Sequence, residues 1–216
     1  MRSLSTAQEE IKNFCEKRGV FELLHFVKVE QMPFILRYGL LTNAILRNAG
    51  GTIEDHSRID RNSDHVCLSI DFPNYKLFYK RRMANTREIW CILSIRKSLI
   101  WERPCIFFPS NAARNNGRDG KRGLTGIQAI YAASIGGIER SPLIKDSLPT
   151  EPQAEVLLPD PVTPEEIEKV YFSNSTEARI NESIIVNAGK QIQIREDLFL
   201  PRKDWDSWKR MTGAEA

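Results

Sequence analysis

The sequence predicts one α+β domain in which short strands are interspersed among helices. Three observations carry that expectation. Apolar runs of strand length recur at residues 21–27, 65–70, 89–95 and 154–158, and segments of helical spacing lie between them. No internal repeat or composition shift divides the chain. Its 216 residues, 41% hydrophobic and 27% charged, suffice for one sizeable core.

Each element has its own warrant. Thr6 stands three residues before Glu9, a capping-box spacing, and Ile11, Phe14 and Cys15 follow at helical intervals, so residues 1–19 read as a leading helix ended by Gly19. Residues 21–27 form the first strand. Helical spacing returns over 31–38, with Gly39 where helices end in a left-handed residue. Residues 43–64, rich in Asn, Gly and charge, read as a loop. A strand follows at 65–70, and Pro73 opens a helix with an aromatic face of Tyr75, Phe78 and Tyr79. Residues 89–95 are a strand, and Trp101 and residues 105–108 mark further short buried segments.

A Gly/Asn-rich loop at 111–123 leads into a helix over 125–133, and 141–152 is a loop. Next comes Gln153-Ala154-Glu155-Val156-Leu157-Leu158, a buried strand bearing one carboxylate. Thr163 caps a helix opening at Pro164-Glu165-Glu166-Ile167. Residues 184–186 and 192–194 flank Asn187-Ala188-Gly189-Lys190 as a hairpin, with a short helix as the alternative. The tail, 200–216, is polar, with Trp205 and Trp208 spaced for one helical turn.

Bulk properties restrict the function. The net charge of +3 permits nucleic-acid binding without requiring it. No apolar run approaches the roughly 18–20 residues of a membrane span, and the N-terminus lacks a secretory signal pattern, so a cytoplasmic protein is expected. Cys15, Cys67, Cys91 and Cys105 are widely spaced and His25, His56 and His65 are scattered; the chain reads as reduced, with no metal site.

A carboxylate among Ala, Val and Leu is costly unless it has a partner or a task, which singles out Glu155. A lone His in an apolar strand, as His25 is, is more often a hydrogen-bonded core residue than a site residue. A second local signal is Arg114-Asn115-Asn116-Gly117-Arg118-Asp119-Gly120-Lys121-Arg122, four basic residues against one acid in a flexible Gly/Asn setting that suits phosphate contacts or simply a solvated loop.

The order strand-His25, helix ending in Gly39-Leu40-Leu41, and late strand-Glu155 resembles the ADP-ribosyltransferase superfamily. The closer resemblance is to the DarT-type DNA ADP-ribosyltransferases, toxins of bacterial toxin–antitoxin pairs. It is carried by His25-Phe26 with Met32-Pro33-Phe34-Ile35-Leu36-Arg37-Tyr38-Gly39-Leu40-Leu41, by Val66-Cys67-Leu68-Ser69-Ile70-Asp71-Phe72-Pro73-Asn74-Tyr75-Lys76, by Pro104-Cys105 through Ser110-Asn111-Ala112-Ala113, and by Pro149-Thr150-Glu151-Pro152-Gln153-Ala154-Glu155-Val156-Leu157. The match spans residues 20–172. Where the thymine-modifying branch has a Tyr-Val-Pro-Phe-Tyr-Phe block this chain has Ser69-Ile70-Asp71-Phe72-Pro73-Asn74-Tyr75, so it looks more like the sister branch that modifies guanine.

The resemblance implies a split central β-sheet flanked by helices, in one domain spanning 1–216, and NAD as co-substrate. It implies Glu155 as the catalytic residue and His25, Gly39, Leu40, Leu41, Ser69 and Tyr75 as cofactor contacts; an anionic pyrophosphate also wants a cation, for which Arg47, Arg58 and Arg61 are available in the 43–64 loop and Arg61 is favoured. Single-stranded DNA is the expected substrate, contacted by Arg114, Arg118, Lys121, Arg122, Lys145 and Gln153, with residues 141–153 reading the acceptor. A DarG-like macrodomain antitoxin is the expected partner. RNA or protein as acceptor, and a non-enzymatic nucleic-acid-binding module, are the alternatives.

Overall fold

The computed structural model describes residues 3–48 and 65–209. Helix α1 (Thr6–Arg18) is capped one residue earlier than the Thr6–Glu9 spacing implies. Ser5 is the cap: Gln8 N–H donates to its Oγ and the Ser5 N–H donates to Gln8 Oε1, so a Ser/Gln box satisfies the donors. Strand β1 (Glu22–Lys28) and a short 3₁₀ turn lead into α2 (Met32–Tyr38), then α3 (Asn43–Asn48). The expected loop at 43–64 therefore starts as helix; its remainder lies outside the described residues.

Strand β2 (Val66–Ile70) precedes α4 (Tyr75–Ala84), whose first turn is capped by the Asn74 side chain accepting from Leu77 N–H. Strand β3 (Trp90–Arg96), α5 (Leu99–Glu102) and β4 (Ile106–Phe108) follow. The 111–123 stretch contains a 3₁₀ turn at Arg114–Gly117 and an edge strand, β5 (Lys121–Arg122), before α6 (Gly123–Ile130). A small hairpin, β6 (Ser134–Ile135) and β7 (Ile138–Glu139), precedes the 141–152 loop and β8 (Glu155–Leu158).

Two expectations fail in the C-terminal third. The capping box at Thr163–Glu166 forms, with Glu166 also accepting from Arg96 and Arg103, but it opens only one 3₁₀ turn before the chain enters β9 (Ile167–Phe172). The expected hairpin does not form: residues 184–186 lie in a helix, the stated alternative, as part of α7 (Ser175–Asn187), and 192–194 form the expected strand, β10 (Gln191–Ile194), which pairs parallel to β9 through that helix. Ala178, Asn181 and Ile185 form the helix's buried stripe, leaving Ile180 and Ile184 exposed. The tail makes its expected turn, α8 (Trp205–Trp208), with Trp208 fully buried.

Among the described residues, eight strands make one sheet in the order β10-β9-β3-β1-β2-β8-β4-β5. One face carries the larger core, with Ile11 and Cys15 from α1, Leu99 and Ile100 from α5, and Ile127 and Ile130 from α6 against Leu23, Leu68, Leu93 and Val156. Leu24, Phe78, Ile92, Tyr171, Leu198 and Phe199 pack the opposite face under α4.

The sheet is split at its centre. β1 pairs with β3 along its whole length, Glu22 to Lys28, yet meets β2 only at Leu23↔Ile70 and Leu24↔Ser69. β2 then gives its remaining registered pairs, Val66 to Leu68, to β8. The closed end is locked by Asp71, which sits at φ 56 and accepts from the N–H groups of Phe21 and Glu22. An Asp tolerates that left-handed backbone better than most residues.

Candidate active site

His25 lies where β1 and β2 part. Its Nδ1 is 2.8 Å from the carbonyl oxygen of Cys67, across the opening. A carbonyl only accepts, so Nδ1 carries a proton, and in the neutral imidazole Nε2 is the acceptor atom. One hydrogen bond thus fixes the imidazole orientation and its tautomer.

Glu155 opens β8. Cross-strand pairing puts Leu24 opposite Ser69, Leu68 opposite Val156, and Glu155 opposite Phe108. Continued by one residue, this register sets Leu24, Ser69, Glu155 and Phe108 in one row, with His25 one step further along β1, just past its last pairing with β2. Glu155 is 8% exposed, and its Oε2 accepts the Ala112 N–H at 3.0 Å. That amide is presented by a local turn in which Asn111 Oδ1 accepts from Ala113 N–H and Asn111 O from Arg114 N–H. The Ser110-Asn111-Ala112-Ala113 block therefore shapes the surroundings of Glu155.

The neighbouring positions bring further groups. Ser69 Oγ accepts the Asn74 N–H at 3.2 Å, which ties the row to the cap of α4. Tyr75 is buried edge-on against Phe72, and burial lifts its hydroxyl to about 12, so it stays protonated. Asn74 Nδ2 is a buried donor with no partner among the described residues.

The Gly39 turn has a sharper reason than helix termination. At φ 87 and ψ −179 it is extended with positive φ, and a Cβ there would stand 2.1 Å from the Val162 carbonyl oxygen. This approach lets Leu40 exchange both backbone hydrogen bonds with Val162, at 2.8 and 3.0 Å, while the Gly39 N–H donates to Ile35 O. The Gly39 N–H and both Leu40 backbone groups are thereby engaged within the protein, and Leu41 is half-buried beyond them.

The basic candidates separate. Arg114 turns inward, donating to Ser110 Oγ at 2.9 Å and standing 3.6 Å from Glu151. Arg118 and Lys121 are exposed, and Arg122, also exposed, donates to Pro104 O. Lys145 is exposed and Gln153 half-buried on the 141–153 loop. Arg58 and Arg61 lie outside the described residues, and nothing is described of the Arg47 side chain.

Sequence reading missed Glu151. Its side chain is buried beside the same 110–114 segment that holds Glu155: Ser110 Oγ donates to Oε1 at 3.0 Å, and Oε2 is a buried atom with no partner among the described residues. Burial raises its carboxyl above the usual range, opposed by Ser110, Arg114 and Lys76. The one available signal was a carboxylate set between Pro149 and Pro152, in a segment with few surface-type residues. Burial also lowers Lys76, whose Nζ donates to Trp208 O.

Among the described residues the sheet is eight-stranded and parted at β1/β2, with His25 at the parting and Glu155 on the strand beyond β2, the split central sheet that the resemblance implied. The chain superposes on Thermosipho africanus DarTG in complex with ADP-ribose with a TM-score of 0.59, at 16% identity, over 82% of this chain and 50% of that one. It thus spans half of that protein. Thermus sp. 2.9 DarT in complex with NAD⁺ gives 0.57 at 14% identity over 83% and 97% of the two chains, and the same protein with ADP-ribosylated ssDNA gives 0.56 at 14% over 83% and 96%. No curated protein sequence matches significantly. The family model described as "ssDNA thymidine ADP-ribosyltransferase, DarT" matches residues 24–200, and the chain belongs to the DarT family.

Proposed function

We propose that this protein transfers ADP-ribose from NAD to a guanine base in single-stranded DNA, with Glu155 as the catalytic residue. The observation that carries the reading is the seating of Glu155 at the head of β8, in the row that closes the parted β1/β2 strands where His25 stands. The family match and the NAD⁺ complex of Thermus DarT support the co-substrate.

The chemistry follows from the residue types. The bond between ribose C1′ and the nicotinamide nitrogen breaks through a transition state with oxocarbenium character. A carboxylate fixed by the Ala112 N–H and directed at the ribose 2′-hydroxyl stabilises that charge more in the transition state than in the ground state. His25 Nε2 accepts from a hydroxyl of the adenosine-side ribose. A nitrogen of the base attacks C1′, the new N–C bond forms as nicotinamide leaves, and the nitrogen's proton passes to the carboxylate. A paired base cannot present that nitrogen, which favours single-stranded substrate.

Guanine is favoured because Ser69-Ile70-Asp71-Phe72-Pro73-Asn74-Tyr75 replaces the aromatic block of the thymine-modifying branch, although the family's description names thymidine. Exposed Arg118 and Lys121, with Lys145 on the acceptor loop, supply phosphate contacts. The protein acts as the toxin of a pair, neutralised by a macrodomain antitoxin; the Thermosipho DarTG structure motivates that partner. Labelled NAD offered to DNA, RNA and protein acceptors in competition tests the reading. Label is expected in single-stranded DNA with the wild type and absent with Glu155→Ala; label confined to RNA or protein overturns it.

A further inference from the structure

The loop at 141–153 has no regular secondary structure, so its carbonyl groups need donors from elsewhere. From Lys145 to Thr150 each carbonyl oxygen accepts from a side chain. Arg140 Nη2 donates to Lys145 O at 2.8 Å and to Asp146 O at 3.4 Å, and Arg140 Nη1 to Leu148 O at 2.7 Å. Tyr131 OH donates to Ser147 O at 2.9 Å. Arg202 donates to Pro149 O at 2.8 Å and Thr150 O at 2.7 Å.

Arg202 comes from beyond the family match, which ends at residue 200. It is 3% exposed, and Asp204 grips its Nε and Nη2, both at 2.6 Å. Asp204 is itself held by Trp208 Nε1 at 2.9 Å, and Lys76 Nζ donates to the Trp208 carbonyl at 2.7 Å. A buried guanidinium loses strong hydration and is sustained only by such a fork and by full use of its donors. This chain of contacts is elaborate for a polar tail, and it ends one residue before Glu151 and five before Glu155.

We infer that Arg202, held by Asp204 and Trp208, is a positioning residue for acceptor transfer: with Arg140 it presets the loop ahead of Glu155, so that the C-terminal turn is part of the acceptor site. The inference rests on the proposed transfer to DNA. Glu155 is seated independently, by β2, β4 and Ala112. Loosening the loop therefore separates two activities of one site: NAD hydrolysis by water, which needs Glu155 and the cofactor cleft, and transfer to a base, which also needs the loop.

The test compares wild type, Arg202→Gln, Arg202→Lys and the isosteric Asp204→Asn, each as the full chain, by NAD hydrolysis without DNA, by transfer to a single-stranded oligonucleotide, and by thermal stabilisation with NAD. The expected result is hydrolysis within about twofold of wild type, an oligonucleotide KM raised by about tenfold or more in Arg202→Gln, and partial recovery in Arg202→Lys. If hydrolysis and transfer fall in the same proportion in both Arg202→Gln and Asp204→Asn, or if neither changes, Arg202 has no positioning role. A wild type that hydrolyses NAD but labels no DNA overturns the functional reading and this inference with it.

Discussion

Replacing Gly39 by Ala separates two costs that the fold combines at that position. The first is conformational: at φ 87 and ψ −179 the backbone occupies a region essentially reserved for Gly, and a side chain there costs on the order of 1–3 kcal/mol. The second is spatial. The new Cβ would stand 2.1 Å from the Val162 carbonyl oxygen, which is backbone and cannot swing away. The bridge must open, and its two hydrogen bonds contribute about 1 kcal/mol each. The sum is about 3–5 kcal/mol. At about 2–4 °C per kcal/mol for a chain of this size, Tm falls by roughly 10 °C. Gly19 is the internal control: it also has positive φ, 71°, but nothing lies within 4 Å of the added Cβ, so Gly19→Ala costs only about 1 kcal/mol. Urea denaturation of the two variants measures the difference directly. Equal destabilisation by both substitutions would refute the close-approach argument.

Other outcomes follow from the same geometry. On the proposed binding mode His25→Ala removes one hydrogen bond to NAD, so KM for NAD is expected to rise about five- to thirtyfold, for about 1–2 kcal/mol, with little change in kcat; initial-rate kinetics decide. Arg118→Glu with Lys121→Glu weakens oligonucleotide binding and flattens its salt dependence by about 0.7 in log–log slope for each phosphate no longer neutralised, read by fluorescence anisotropy across a salt series. Burial raises the folded-state pKa of Glu151 above 4.5, so the stability it contributes is full below the unfolded value and is lost as pH rises through the folded one. The Tm difference, Glu151→Gln minus wild type, accordingly grows more positive from about pH 4 to pH 7; a difference that is flat or shrinks contradicts this.

The central strands were legible because their apolar runs are short and bounded by turn residues, and because each is buried on both faces: residues 66–70, 90–96 and 155–158 lie within or nearly within the runs read from sequence. The C-terminal third misled because local chemistry there is genuine but outcompeted. Thr163 and Glu166 do form a capping box, yet Glu166 also serves Arg96 and Arg103, and pairing of β9 with β3 takes over at Ile167. Ile184 looked like a strand residue but lies on the exposed face of α7, the helical alternative, whereas Ile194 does belong to a strand, β10 at the edge of the sheet. Glu155 and His25 stood out as polar groups in apolar strands. Glu151, Arg140 and Arg202 did not, because their meaning lies in contacts across up to 53 residues of chain, which no local pattern encodes.

The account is tested most directly by mass spectrometry of nucleosides released from a mixed-sequence single-stranded DNA after incubation with NAD and the protein. It predicts an ADP-ribosylated deoxyguanosine with wild type and none with Glu155→Ala. An adduct on thymidine alone would overturn the base assignment. The absence of any DNA adduct with wild type, or an equal yield with Glu155→Ala, would contradict the central claim.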